Sequence, residues 1–189
     1  MALDAAQVRT APSGHIYVAP LGANEPIDVE SDLDPAFAEL GYCTPDGVTI
    51  APSVDQEDIG VWQALMPVLS PITGMTIEVS FVLAQINRDT MSLFFLGEEF
   101  TDDGTTARLN INSNPGTQER CLVVEWSDNT GDSYRLVLPR AQMTNREELT
   151  LARSEATGLG LTFAALDDAG IAGYILSNNP ALLDESASS

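Results

Sequence analysis

The chain has 189 residues, 44% of them hydrophobic, and sets 8 basic side chains against 28 acidic ones for a formal charge of −20. A pI of about 4.1 excludes gripping nucleic acid by phosphate neutralisation, which needs a Lys/Arg footprint, and disfavours adhesion to an anionic membrane surface. The length fits one domain with a sizeable core, and the apolar content is too high for a disordered chain.

Residues 1–13 read as a small-residue N-terminal arm. Its start lacks the basic cluster and apolar run of a signal peptide. His15–Ala19 is a short strand stopped by Pro20, and an acidic loop follows from Asn24 to Asp34. Asp34-Pro35-Ala36-Phe37-Ala38-Glu39-Leu40-Gly41 combines an N-cap residue, Pro at the first helical position and a terminating Gly, which predicts a helical turn. Val48–Ile50 resumes an extended segment. It leads into Asp55–Trp62, and the stretch Ala64–Gly74, with Pro67 and Pro71, reads as a long loop.

Met75–Ile86 is the clearest strand, with Met75, Ile77, Val79, Phe81 and Leu83 on one face and Thr76, Glu78 and Ser80 on the other. Asn87 then caps a helix running to Gly97, whose Met91, Phe94 and Phe95 share one face. Strands are expected at Arg108–Asn112, Cys121–Ser127, Ser133–Leu138, Glu148–Leu151, Leu159–Leu166 and Ile171–Leu176. Asp128–Asp132 is expected to join the Cys121 and Ser133 strands as a hairpin, and Asp167–Gly170 to join the last two. Such spacing predicts a mainly β fold, a sandwich or barrel with one flanking α-helix. Residues 14–176 make up this domain, and 177–189 a flexible C-terminal tail.

Chemical signals are sparse. Asp28 to Asp34 with Glu39 imitates the acid spacing of an EF-hand loop, but Leu33 stands where the turn requires Gly. Gly158-Leu159-Gly160 is followed by a strand rather than a helix, so no helix N-terminus is aimed at a phosphate. His15 is the lone histidine, with no local nucleophile, and reads as a strand histidine at the protein's edge. Cys43 and Cys121 are far apart and read as two buried free thiols of a chain made in a reducing cytoplasm. No catalytic residue, cofactor site or metal site is predicted. Trp126 ends an apolar strand and reads as core. Trp62 lies in the long loop with Leu65, Met66, Val68 and Leu69, and this apolar group must bury itself on its own domain or on a neighbour.

The charge is uneven. Residues 1–104 hold 17 acids and two Arg, residues 105–153 six of each, and residues 154–189 five acids and no base. The neutral, Arg-bearing stretch is suited to meet acidic surfaces of another subunit.

The order of several segments resembles the major tail tube proteins of long-tailed, non-contractile, siphovirus-type bacteriophages, particularly those of actinobacterial hosts. The segments are Gly14–Pro20, Asp34–Tyr42, Asp46–Thr49, Trp62-Gln63, Thr76–Ile86 with the Asn87–Gly97 helix, and Tyr134–Gln142. The resemblance implies a non-enzymatic virion protein, assembled in the host cytoplasm into stacked hexameric rings that conduct DNA during ejection. It further implies as partners other copies of the chain, a tape-measure protein, and tail terminator and tail-tip proteins. Double-stranded DNA would be only a transient passenger, and no membrane is involved. In that family a long loop and the terminal arms bridge rings, which makes 51–74 an expected inter-subunit loop. Glu78, on the solvent side of the clearest strand, is the candidate lumen-facing acid. A capsid decoration or head–tail joining protein, and a hydrolase using a carboxylate pair, are the competing classes.

Overall fold

A computed structural model describes residues 7–96, 99–153 and 157–183, and among these the chain forms ten strands and one α-helix. The mainly β architecture expected from the strand spacing is the one observed. In chain order the strands are β1 Ser13–Ala19, β2 Ala38–Glu39, β3 Cys43–Gln56 and β4 Ile72–Leu83. After the helix α1, Arg88–Phe94, come β5 Phe100–Asp102, β6 Ala107–Leu109, β7 Glu119–Ser127 and β8 Ser133–Arg146. The last two are β9 Leu159–Ala165 and β10 Tyr174–Ser177.

Eight of these strands form one antiparallel sheet in the order β2-β1-β7-β8-β9-β4-β3, with β10 also on β8, while β5 and β6 form a separate hairpin. The two ends of the long sheet, β2 and β3, are joined by only Leu40–Tyr42. Three residues span at most about 10 Å, so the sheet must curl until its ends approach. Gly41 makes this link at φ 81°, where a Cβ would run into the Gln85 side chain.

Period-two alternation fills the inside of the curl. Ile16 and Val18, Val79, Phe81 and Leu83, Leu122 and Val124, Leu136 and Leu138, and Leu159, Leu161 and Phe163 all join one buried cluster. The helix closes it with Leu93 and Phe94. Its N-terminus is fixed as the sequence predicts: Asn87 Oδ1 accepts from Thr90 N at 2.9 Å, and Thr90 Oγ1 accepts from Asn87 N at 2.9 Å. The expected end at Gly97 lies outside the described residues. A smaller cluster lies on the opposite face of β1, β7 and β8, where Ala19, Cys121, Val123 and Val137 are covered by Leu33, Phe37 and Tyr174. Both cysteines are free thiols; Cys121 is buried and Cys43 half-buried.

Five expectations change. Asp34–Gly41 is not a helical turn. Asp34 does cap, accepting from Ala36 N at 2.8 Å, but the chain makes one tight turn and then pairs Ala38 and Glu39 with Val18 and Tyr17. A single helical turn fixes many dihedrals for one hydrogen bond, whereas strand pairing also buries Leu40. The segment 51–74 is not all loop, because β3 runs to Gln56 and β4 begins at Ile72. Pro45 and Pro52 are tolerated in β3 because it lies at the edge of the sheet.

The strand expected over Ser133–Leu138 runs on through Pro139 to Arg146 as β8. Leu122 pairs Leu138 while Arg120 pairs Ala141, so β8 carries one extra residue there, and the proline sits in that bulge. Glu148–Leu151 forms no strand; only Leu149 packs against the core. Asp167–Gly170 does not join paired strands. Ala169 and Gly170, at φ 53° and 89°, form a two-residue turn closed between Asp168 and Ile171. Around it β9 and β10 lie end to end along the same side of β8, with Ala165 opposite Ala141 and Tyr174 opposite Val137.

Candidate functional site

The alternation of β3 and β4 continues past the body of the sheet. β9 covers β4 only from Glu78 to Leu83, so Ile72–Ile77 and their β3 partners project as a two-stranded ribbon. Pro52, Val54, Met75 and Ile77 share one face of this ribbon, directly continuing the core-facing row of Val48, Ile50, Val79 and Phe81. The other face carries Ser53, Asp55 and Thr76.

The ribbon ends in an ordered tip, residues 57–71. Ile59 N donates to Leu69 O at 2.8 Å, Val68 N to Ile59 O at 2.9 Å, and Ser70 Oγ to Asp58 at 2.6 Å. No charged residue occurs between Ile59 and Leu69. All five side chains singled out from the sequence lie here, and none is buried on its own domain. Trp62 is 98% exposed, Leu65 107% and Met66 77%, while Val68 and Leu69 are more than half exposed. Removing one such side chain from water is worth about 1.5–3 kcal/mol. These exposed apolar side chains are close neighbours in sequence, at the end of the ribbon.

Glu78 is exposed on the side of the sheet away from the main core, as its alternation predicts. It belongs to a row the sequence does not reveal: Ala51, Glu78, Ala164, Gln142 and Glu119 stand side by side across five strands. The next row holds Thr49, Ser80 and Thr162, with the last two hydroxyls 3.1 Å apart. This face is polar, with Glu78 as its exposed carboxylate; of β9 only Thr162 is half-buried on it, while Ala164 is buried and Gly160 lies under the Glu147 side chain.

A second feature is a cleft of about 790 Å³ at the seam where the sheet ends approach. Pro12, Ile16, Tyr42, Val48, Ile50 and Trp126 line it. Trp126 is half-buried rather than fully core, and its ring stacks on Tyr134 with centroids 5.2 Å apart. The cleft also contains His15, Glu39 and Glu125. His15 Nδ1 lies 2.7 Å from Glu39 Oε1, and Glu125 accepts from Arg135 Nε at 2.5 Å. Each carboxylate thus faces its own base, which is not the arrangement of two carboxyls flanking a scissile bond.

The acidic loop uses its carboxylates locally. Asp28 accepts from the backbone N of Glu30 and Ser31, and Asp34 from Asn24 and Ala36 N. Those backbone bonds hold both carboxyls below the usual aspartate range. No cluster of residues able to hold a metal ion occurs among the described residues.

Two arginines of the neutral stretch act within the chain. Arg135 is buried and also donates to Asp28 O at 2.6 Å and Ser31 O at 3.1 Å. Arg140 donates to both oxygens of Glu119, at 2.7 and 2.9 Å. Residues 9–10 and 177–179 are tied down near the β7–β8 turn. Thr10 and Asn129 exchange two hydrogen bonds of 3.1 Å, and Arg9 Nε lies 3.1 Å from Asp128. The expected C-terminal tail begins ordered, with Asn179 buried and capping a short turn at Pro180–Leu182. Residues 1–6 of the arm and 184–189 of the tail lie outside the described residues.

Residues 1–182 match a family model described as "Phage tail tube protein". No curated protein matches the chain in sequence. Among solved structures, it is similar to a chain of the anti-feeding prophage (AFP) baseplate, determined by cryo-EM and 6-fold symmetrised. That chain is 11% identical, with a TM-score of 0.49 over 93% of this chain and 97% of the other. A likeness at that level is too weak to build on.

Proposed function

The chain belongs to the phage tail tube protein family, and on that premise we propose that it is the repeating subunit of a tail tube, closing into hexameric rings that stack into the conduit for DNA ejection. A component of the virion tail is what the family supplies.

One observation carries it: an exposed apolar stretch without charge, Ile59–Leu69, at the end of a projecting two-stranded ribbon in a chain of net charge −20. A free subunit gains nothing from such a tip, whereas a neighbour that covers it gains the whole of its burial. The long outer edge of β3 also favours assembly, because an unpaired edge is a liability that ring closure removes. The polar face bearing Glu78 is suited to line the lumen. Acid there repels phosphate, so DNA slides past without sticking. The tape-measure protein would occupy that lumen during assembly in the host cytoplasm, with terminator and tip proteins at the ends. Such a subunit has no catalytic role. The 1–13 arm and the 177–189 tail would join the tip in bridging rings.

Trp62→Ala tests the reading. The variant is expected to remain folded, since no tip residue belongs to the core, while its assembly is at least tenfold weaker in sedimentation. Polymers of normal length and stability from this variant would refute it.

A further inference from the structure

The tip has no receptor in its own subunit. Val48 and Ile50, at the foot of the ribbon, line the cleft, while the tip begins only at residue 57. Six residues of strand from Ile50 to Gln56 place the tip about 20 Å away. Folding back would unpair Pro52–Gln56 from β4. Whatever the cleft receives must therefore come from elsewhere.

Resting on the reading that the chain assembles with itself, we propose that the tip of one copy seats its Trp62 and Leu65 in the seam cleft of a second copy. The chemistry of the two surfaces matches. The outer 11 residues of the tip, Ile59–Leu69, carry no charge, and the two acids of the tip, Glu57 and Asp58, sit at its base, so the part that enters a second strongly acidic copy does so without repulsion. The cleft offers Pro12, Tyr42, Val48, Ile50 and Trp126, and its carboxylates already have partners, Glu39 in the His15 ring nitrogen 2.7 Å away and Glu125 in Arg135. An uncharged guest therefore leaves none of these groups without its partner. At about 790 Å³ the cleft falls within the roughly 300–1,000 Å³ of pockets that enclose drug-sized groups. It is large enough for an indole and its neighbours. Tip and cleft are different surfaces, so the contact is head-to-tail. Each copy that receives a tip still presents its own.

The native Cys43 supplies the test, because it lines the cleft. Cys121 stays silent in such an experiment: it is buried, and burial pushes its thiol up to about 12. Leu65→Cys protein, concentrated until it polymerises, is oxidised with diamide at mildly alkaline pH. Two thiols then lose two electrons and two protons to the diamide and form one disulfide. A non-reducing gel should show a ladder beyond the dimer, with peptide mapping placing the bond between the introduced thiol and Cys43. Val54→Cys, on the shaft of the ribbon, should give none. Tubes without this cross-link would overturn the seating but leave the tail tube reading intact. Cross-linked chains that never form tubes would support the seating and contradict the tube. Chains that neither polymerise nor cross-link would overturn both. A ladder that stops at the dimer would overturn the head-to-tail arrangement.

Discussion

Arg135 illustrates what residue-level chemistry does in a chain with eight bases among 28 acids. Its guanidinium is buried against Glu125 and holds the backbone of the acidic loop through the carbonyls of Asp28 and Ser31. Arg135→Met would leave Glu125 without its partner and free the loop. The expected destabilisation is about 3 kcal/mol, at the lower end for a broken buried pair because Glu125 is partly solvated. An unchanged urea midpoint would contradict it. No local pattern announces this role, because its partners lie 104 and 107 residues away in sequence. The Asn87 cap, by contrast, was legible because both of its partners fall within one helical turn.

Several carboxyls are held low. Hydrogen bonds from Thr105 and Thr106 bring Asp103 to about 2, and the Arg140 hydrogen bonds lower Glu119. In Asp128, burial works upward, but hydrogen bonds from Thr130 and Asp132 outweigh it. A folded pKa below the unfolded value stabilises fully above the unfolded value, near 3.8 for Asp, and is lost as pH falls through the folded one. Thermal melts should therefore show Tm falling between about pH 4 and pH 2. From pH 7 to about 5 the opposite trend is expected, as protonation of ordinary acids relieves self-repulsion. A Tm that keeps rising below pH 4 would refute this.

Elements were legible where alternation is strict and local. The core face of β4 is the clearest case: Val79, Phe81 and Leu83 are buried on the side that their spacing assigns. Elements were misjudged where tertiary context overrides a local signal. Pro52 and Pro139 look like strand breakers, yet one lies in an edge strand and the other in a bulge, where a missing N–H is tolerated. Pairing β2 with β1 overrides a helix start at Asp34 for a similar reason: the partner strand lies about 20 residues earlier in the chain. The β3–β4 ribbon is an appendage by this logic. Replacing residues 57–71 with Asn-Gly, which suits a two-residue hairpin turn, should leave the Tm of the body nearly unchanged. It should also remove polymerisation. A large loss of Tm would show the tip to be part of the folding core.

At the scale of the whole molecule, the charge of −20 first excludes partners and then sets the terms of assembly. Acids outnumber bases along the chain and Glu78 stands exposed on the polar face, while Ile59–Leu69 at the ribbon tip carry no charge. Repulsion therefore disfavours contacts between acidic surfaces of two copies and leaves the uncharged tip and the neutral stretch 105–153 free of that cost. The apolar tip was legible as a composition anomaly. The cleft was not, because it is created by the curl of the sheet, which brings together residues from β1, β3 and β7. Self-assembly into a tube can be seen by negative-stain electron microscopy of the concentrated, purified protein. Hollow tubes of uniform width, built from stacked rings, are the predicted result. A discrete ring or trimer that does not stack would contradict it.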